Sequence, residues 1–321
     1  MSVIVKAWVI VAVSLILLGA VLFTAVMITL GWDFGALSTT RYETNEHVPS
    51  ESFSDISIQT DTADIILLPA EDEGCKIIAH EQENVKHTVK VKDGVLVIET
   101  EDTRKWYEYI GISWGSPSLT VYLPKSEYGA LSVKSSTGMV RLPAEFSFAS
   151  IDVETDTGIV QSYASAMGAI KIETNTGAIG VEGVSAASLS LSVTTGKVTV
   201  TDAYVAGDAS VAVSTGKAAL TDVTCKNLFS SGSTGDILLK NVIAAEKLSV
   251  ERDTGDVTLD GADAAEIFIE TDTGDVKGTL LSDKIFFAET DTGRREIPKT
   301  VTGGRCEIKT DTGDIVLEIK K

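Results

Sequence analysis

A four-residue phrase, Thr-Asp-Thr-Gly in its clearest copy at residues 271–274, repeats through most of this chain. Its glycine, preceded by threonine every time, recurs ten times at spacings of 19 or 20 residues. The glycines are Gly138, Gly158, Gly177, Gly196, Gly216, Gly235, Gly255, Gly274, Gly293 and Gly313. A fixed period of this size predicts a protein of stacked repeats. We expect these glycines to be structural turn residues.

The apolar pattern changes phase at each copy of the phrase, when positions are numbered from the glycine. In the fourth copy, Leu189, Leu191 and Val193 occupy −7, −5 and −3, whereas Val198 and Val200 occupy +2 and +4. Alternation with a period of two indicates a strand with one buried face. A straight strand cannot change its inward parity, so the phrase is predicted to be a corner. Glycine suits a corner because it adopts positive φ freely, and we expect the preceding threonine to point inward.

A second corner is predicted where each repeat ends in small residues. These are the pairs at 186–187, 206–207, 244–245 and 264–265. Two strands and two corners per repeat form a flattened coil of about 64 Å perimeter, with neighbouring coils about 4.8 Å apart. The predicted fold is all-β, a single β-solenoid (β-helix) of about 19–20 residues per coil and ten or more coils. Propellers and leucine-rich repeats have other periods or consensus residues.

An apolar segment precedes the repeats. Residues 7–30 carry no charge and span about 36 Å as a helix, enough to cross a hydrocarbon core of about 30 Å. A signal peptide has a shorter apolar region, of about 7–15 residues, so we expect an uncleaved transmembrane helix. Lys6 before the helix places the N-terminus inside and the body outside. The predicted parts are a cytoplasmic end 1–6, the transmembrane helix 7–30, a tether 31–50, a degenerate solenoid 51–130 and a regular solenoid 131–321.

The degenerate part contains a copy of the phrase with Ala63 in place of glycine, and then an irregular region. Strands are predicted at 75–80, 89–91, 95–98 and 119–123, with a hairpin turn at 92–94. Between them lie the large aromatics Trp106, Tyr107, Tyr109 and Trp114. We expect them either to cap the apolar end of the stack or to form a ligand platform for a glycan or peptide, and a cap is favoured.

Aspartates accumulate in the later copies of the phrase, at positions −2 and +1. In a stack, like charges repeat about every 4.8 Å and repel each other, and calcium is a cation that several carboxylates can hold. The candidate calcium ladder is Asp253, Asp256, Asp272, Asp275, Asp291, Asp311 and Asp314. The competing interpretation is that these residues cap turns or face water. No other cofactor is expected.

Composition and motifs exclude several functions. A net charge of −19 argues against nucleic-acid binding. The three cysteines and three histidines lack metal-site spacing, and we expect the histidines at the surface. No nucleophile-elbow, P-loop or zinc-protease motif occurs. An enzyme is not expected, and an active site would need the irregular region 72–117, with Asp102 or Glu108 as candidate residues.

The chain resembles the bacterial "putative adhesin" family, a domain of unknown function built from β-strand repeats. The resemblance lies in the strand-turn-strand of residues 56–68, KDGVLVI at 92–98, LTVYLP at 119–124, LSV at 131–133 and STG at 136–138. It implies a β-helical, envelope-exposed protein without established catalytic residues. We therefore expect a membrane-anchored extracytoplasmic binding or scaffold protein whose partner is an envelope protein or wall polymer. The alternatives are an accessory regulator of an envelope-stress response acting through a membrane partner, and a β-helical polysaccharide-acting enzyme.

Overall fold

The computed structural model describes residues 3–38, 40–109 and 115–320. Within them lie helix α1 (Val3–Thr29), two short 3-10 turns (Phe34–Leu37 and Trp106–Tyr109) and twenty strands. The strands are β1 Tyr42–His47, β2 Asp55–Thr62, β3 Asp64–Pro69, β4 Lys76–Gln82, β5 Val85–Lys92, β6 Val95–Asp102, β7 Ser118–Leu123, β8 Glu127–Leu142, β9 Ser147–Ser162, β10 Ser165–Ala166, β11 Ala169–Ala186, β12 Ser188–Val205, β13 Asp208–Thr234, β14 Ile237–Thr254, β15 Val257–Thr273, β16 Val276–Leu280, β17 Lys284–Thr292, β18 Arg295–Glu296, β19 Gly304–Thr312 and β20 Ile315–Ile319.

Helix α1 is apolar on all sides, and its described side chains are almost all exposed. The stretch Ile4–Thr29 is long and apolar enough to cross a membrane. Such a helix is what either a membrane anchor or a signal sequence would form.

The repeats stack as parallel strands, which confirms the β-solenoid. Strand β8 pairs with β9, β9 with β11, β11 with β12 and β12 with β13, each time in register, so that one turn glycine lies over the next. The inward residues at −7, −5, −3, +2 and +4 form one continuous core, from Ile56 to Leu317. Each coil adds a layer of Val, Leu and Ile to this core.

Close backbone contact explains why the phrase requires glycine. At Gly196, φ is +148°, and an added Cβ would lie 1.7 Å from the carbonyl oxygen of Gly177 in the neighbouring coil. No side chain fits there, because real Cβ atoms do not approach oxygen so closely. The same contact recurs from coil to coil along the corner.

The threonine before the glycine is exposed in all ten copies, so the prediction that it points inward is wrong. The inward residue is instead at −3, and the corner takes up the four positions −2 to +1. In the last three copies the residue at −3 is threonine, and its hydroxyl donates to the carbonyl oxygen of a turn glycine in a neighbouring coil. These bonds are Thr271 to Gly255 at 3.3 Å, Thr310 to Gly274 at 3.1 Å and Thr290 to Gly313 at 2.9 Å.

The five coils from Gly177 to Gly255 have three corners each, not the two of the predicted flattened coil. The extra corner lies at +6, where the residues have φ between 50° and 70°. These are Gly183, Asp202, Asp222, Asn241 and Gly261. Buried positions run +2, +4, then +7, +9, so the inward parity changes again at +6. These coils therefore have three faces, which we call the first face (−8 to −3), the second face (+2 to +5) and the third face (+7 to +9), and we use the same position numbers for the other coils.

At the N-terminal end, the first coil lies one layer inside the stack. Strand β2 pairs with both β6 and β8, and β3 pairs with both β7 and β8. The outer layers are antiparallel: β5 lies on β6, β4 on β7, and β1 on β4. The hairpin turn at Asp93 and Gly94 is as predicted, with positive φ at both residues. Residues 42–47 of the predicted tether form β1.

At the C-terminal end, the last two coils are exchanged in space. Strand β15 pairs with β19, β16 pairs with β20, and β17 pairs only with β19. The final coil (β19 and β20) thus lies between the coil of Gly274 and the coil of β17. At the crossover, the buried Lys284 ammonium contacts Asp263 at 2.5 Å and also contacts the Ser282 hydroxyl. This ion pair links the two coils that the inserted coil separates.

Arg252 is a second buried charged side chain of the regular solenoid. Arg252 occupies −3, is 3% exposed and fills the space left by Gly232 in the neighbouring coil. Its guanidinium donates to the carbonyl oxygens of Val213 and Ser231 (both 3.2 Å) and to the Ser230 hydroxyl (3.0 Å), while Nε has no partner among the described residues. Burial lowers the pKa of Arg252.

Candidate functional site

The aspartates at +1 form one column and bind backbone amides of the next coil. The carboxylate of Asp236 accepts from the N–H of Asp256 (3.3 Å), that of Asp256 from Asp275 (2.9 Å), and that of Asp275 from Asp314 (2.7 Å). The carboxylate of Asp314 accepts from the N–H of Arg294 (2.8 Å). Each side chain therefore ties two coils together.

Cations flank this +1 column. Lys217, at +1 of the preceding coil, lies 2.8 Å from Asp236, and Arg294, at +1 of the following one, lies 2.8 Å from Asp314. Lys277 contacts Asp275 at 2.5 Å. The Lys217 and Lys277 ammonium groups lower the pKa of Asp236 and Asp275, and the backbone and side chain of Arg294 lower that of Asp314. Amides and cations thus offset the repulsion between the carboxylates.

The aspartates at −2 form a separate column on the other side of the glycine. Asp253, Asp272, Asp311 and Asp291, in spatial order, are exposed, and their carboxylates make no hydrogen bond or ion pair with described residues. Across residues 3–38, 40–109 and 115–320, no three His, Cys, Asp or Glu side chains are grouped to hold a metal ion. The seven predicted ligands thus lie in two columns and not in one site.

The described aromatics of the irregular region do not cover the core. Trp106, Tyr107 and Tyr109 lie on the second 3-10 turn and are 78%, 50% and 59% exposed. The expectation of a cap is therefore wrong for these three, since strands β4, β5 and β6 cover the end of the stack. Trp114 lies outside the described residues. The Trp106 and Tyr107 rings remain available as a surface for a ligand, whereas the Arg104 guanidinium covers the Tyr109 ring at 4.3 Å.

Asp102 and Glu108, the candidates for acid–base chemistry, hold this aromatic turn in place. The carboxylate of Asp102 binds the Arg104 guanidinium at 2.5 Å and accepts from the Tyr109 hydroxyl at 3.0 Å. The Arg104 guanidinium lowers the pKa of Asp102 to about 2. Glu108 accepts from the Lys105 N–H (2.9 Å) and from the Asn84 amide (3.3 Å). Both carboxylates are occupied by structural contacts.

A cavity of about 310 Å3 adjoins the aromatic turn. We call it the cap pocket, and its lining includes Arg41, Gln82, Glu83, Arg104 and Tyr107. Its walls are chiefly polar, and the Tyr107 ring forms one side. Neither the Arg41 guanidinium nor the Glu83 carboxylate is in an ion pair with a described residue. The cap pocket therefore offers an unpaired donor and an unpaired acceptor beside an aromatic ring.

A second cavity, of about 270 Å3, shares Gln82 and Arg104 with the cap pocket and has a buried polar cluster in its wall. Glu81 accepts from the Asn45 amide (2.8 Å) and from the His87 N–H (2.6 Å), and it lies 2.7 Å from His87 Nδ1. His87 Nε2 lies 3.2 Å from the Thr60 hydroxyl. Glu81, His87 and Thr60 are at most 4% exposed.

The connectivity of this cluster, carboxylate to imidazole to hydroxyl, is that of a general-base relay. Here the Thr60 oxygen also accepts from the Thr100 hydroxyl at 3.2 Å, so both partners of Thr60 are protein groups. The cluster links β1, β2, β4, β5 and β6 at the corner where the cap meets the first coil.

The expectation that the histidines lie at the surface is wrong for His87, which is 4% exposed. Along β5 every second side chain points toward the core, and these side chains include His87, Val89 and Val91. The period of two along this strand therefore indicated that His87 is buried. Its acidic partner Glu81 is on a different strand, where spacing gives no indication of contact.

A ladder of rings and cations on the first face was also missed. In spatial order it runs Phe229, Lys247, Phe268, Arg305 and Phe287, with each cation 4.7–5.9 Å from the centroids of the rings on either side. In sequence order the last two members are reversed. The exchange of the final coils brings Arg305 between two rings.

These features define the chain as a β-solenoid repeat protein with an apolar N-terminal helix and a polar pocket at its N-terminal end. The family model for Toastrack DUF4097 matches residues 53–213 and 198–321. The chain belongs to the Toastrack DUF4097 family. A search of curated proteins finds no match.

Similar solved structures include two from Parabacteroides. A "putative adhesin" from Parabacteroides merdae is 13% identical, covers 88% of this chain and 98% of its own, and has a TM-score of 0.46. A "putative lipid binding protein" from Parabacteroides distasonis is 15% identical, covers 76% and 98%, and has a TM-score of 0.44. A "putative cell adhesion protein" from Clostridium sporogenes is 13% identical, covers 88% and 100%, and has a TM-score of 0.26.

Proposed function

We propose that the chain is a non-catalytic, adhesin-like binding protein of the bacterial cell envelope. Helix α1 anchors it in the cell membrane with residues 1–6 inside, and the solenoid lies outside and binds an envelope protein or wall polymer. The observation that carries this proposal is the exposed aromatic turn beside the cap pocket. Large exposed aromatics on a folded surface are typical of interaction sites.

The regular coils support a binding role over a catalytic one. Catalytic sites are clefts, usually built by long loops. Nine consecutive repeat spacings of 19 or 20 residues leave no such loops on the regular solenoid. In the irregular region, Asp102, Glu108 and the Glu81–His87–Thr60 cluster are all engaged in structural hydrogen bonds.

Crosslinking in intact cells tests the proposal. A photo-crosslinker introduced at Tyr107 in the full-length chain is expected to capture wall polymer or an envelope protein, and the same group at Tyr204, exposed on the third face, serves as the control. Capture of one integral membrane protein, together with an altered envelope-stress response on deletion, would support the accessory regulator instead. Equal capture from both positions would contradict a binding site at the aromatic turn.

A further inference from the structure

The walls of the cap pocket indicate the chemistry of its ligand. We propose that the cap pocket binds a pyranose unit of a neutral saccharide, which stacks on Tyr107 in the pocket wall and on the adjacent Trp106 ring just outside the pocket. This inference rests on the proposed binding function and specifies its ligand class.

The aromatic side chains supply the stacking surface. The Trp106 and Tyr107 rings lie 5.9 Å apart at 80°, so they form a step of two nearly perpendicular planes. Trp106 is 78% exposed, and no described cation lies over its ring. The Lys105 ammonium lies 5.9 Å from the centroid of the Tyr107 ring, whereas the Arg104 guanidinium covers the Tyr109 ring more closely, at 4.3 Å. The C–H face of a pyranose is apolar and packs against such an open ring, which removes apolar surface of both from water.

The polar groups of the cap pocket suit a ligand with hydroxyl groups better than a charged ligand. A hydroxyl both donates and accepts, so it can pair with the Arg41 guanidinium and with the Glu83 carboxylate. An anionic ligand would be opposed by Glu83, and a cationic one by Arg41. Gln82 donates to the Tyr42 hydroxyl at 3.3 Å, which leaves its amide oxygen as a further acceptor. A neutral ligand rich in hydroxyls therefore satisfies both charged residues.

The size of the pocket fits one sugar ring. A volume of about 310 Å3 lies at the low end of the range of about 300–1,000 Å3 typical of ligand pockets. A peptide would instead need an apolar recess for an anchoring side chain, and the chiefly polar walls do not supply one.

Glycan binding by the full-length chain in detergent micelles tests this inference. The chain is applied to an array of neutral and acidic oligosaccharides, and the strongest neutral oligosaccharide is then titrated by calorimetry. We expect Trp106→Ala and Tyr107→Ala each to weaken binding at least tenfold, and Arg41→Gln and Glu83→Gln to weaken it several-fold. The control Tyr204→Ala removes an equally exposed tyrosine from the third face and is expected to change the affinity less than twofold.

Three results would overturn the inference: no neutral saccharide bound above the level of Trp106→Ala, a consistent preference for acidic glycans, or a neutral ligand whose affinity Tyr107→Ala does not change. Crosslinking at Tyr107 to an envelope protein, with no glycan bound, would leave the proposed binding function standing while rejecting the saccharide. Loss of position-dependent crosslinking as well would reject both.

Discussion

At the scale of single residues, the corner of each coil depends on its glycine, and in several later coils also on the aspartate at +1. Glycine is required because its backbone touches that of the next coil, as at Gly196 over Gly177. The +1 aspartates use their carboxylates to bind the amide of the next coil. Sequence periodicity identified the glycine corner correctly, because a change of parity has few physical explanations. It could not show whether position −1 or position −3 points inward, since threonine recurs at both positions with the same period.

We expect Gly196→Ala to lower the free energy of unfolding by at least about 3 kcal/mol, because the added Cβ meets a backbone oxygen and φ is unfavourable. The control is Gly180→Ala, whose nearest contact is an oxygen at 3.9 Å, and it should cost less than about 1 kcal/mol. Urea unfolding followed by circular dichroism measures both. Equal effects would show that close packing at the corner is not the cause.

The +1 column predicts a loss of stability in acid. The pKa of Asp236, Asp275 and Asp314 is lowered in the folded state, so their contribution is present above the unfolded value of about 3.9 and is lost as the pH falls below it. Changing all three to Asn keeps an acceptor oxygen and removes the titration. The urea midpoint between pH 3 and 7 should then vary less than in the wild type.

The matched control for this experiment changes Asp253, Asp272 and Asp311 to Asn, since these −2 carboxylates have no described partner. We expect that variant to keep the pH dependence of the wild type. A steeper loss of stability in acid for the +1 variant than for the −2 variant would contradict our assignment.

The buried Arg252 also belongs to this scale. Its charge has no acidic partner in the described core, so Arg252→Met should raise the free energy of unfolding by about 1–3 kcal/mol. Lys240→Met, on the exposed second face, should have an effect below about 0.5 kcal/mol. Urea unfolding distinguishes the two, and destabilisation by Arg252→Met would mean that its three hydrogen bonds outweigh the burial of charge.

At the scale of elements, the cap is joined to the solenoid by polar contacts and not only by apolar packing. The Glu81–His87–Thr60 cluster links strands that are far apart in the sequence. The hairpin at Asp93 and Gly94 was predictable, because its turn residues are local. The cluster was not, because its partners come from β1, β2, β4, β5 and β6, and only the fold brings them together.

His87→Ala should destabilise the protein by about 3 kcal/mol or more, because it leaves the Glu81 carboxylate buried without the imidazole. Lys90→Ala, on the exposed side of the same strand, removes a surface ion pair with Glu99 and should cost less than about 1 kcal/mol. Thermal unfolding of the two variants compares them. If His87→Ala behaves like Lys90→Ala, the cluster does not hold the cap.

At the scale of the whole molecule, the order of coils in space differs from their order in the sequence at both ends. Sequence analysis expected coils stacked about 4.8 Å apart but contained nothing to reveal the exchange. Both copies, at 284–296 and at 304–319, contain the same corner phrase, so the repeat period alone does not show which of them follows the coil of Gly274. Long-range pairing, including β15 with β19, decides between them.

Truncation tests this order. A chain ending at Gly303 lacks the inserted coil, which leaves a gap between β15 and β17. A chain ending at Leu280 lacks both exchanged coils, so its remaining coils stack without a gap. We expect the longer truncation product to be the less stable of the two in urea, although it retains more sequence. If the coils instead stacked in sequence order, the longer chain would be the more stable.

The insertion of both terminal coils has a mechanical consequence. A protein held in the envelope by one end and attached to a partner elsewhere carries tension along its chain. A terminal strand on the outside of a stack would peel away one hydrogen bond at a time. Under the proposed anchoring, tension from the membrane side would first detach β1, a strand of six residues, and would then reach β2, which is bonded on both sides. Further extension must shear two ladders at once, so the rod resists tearing from either end.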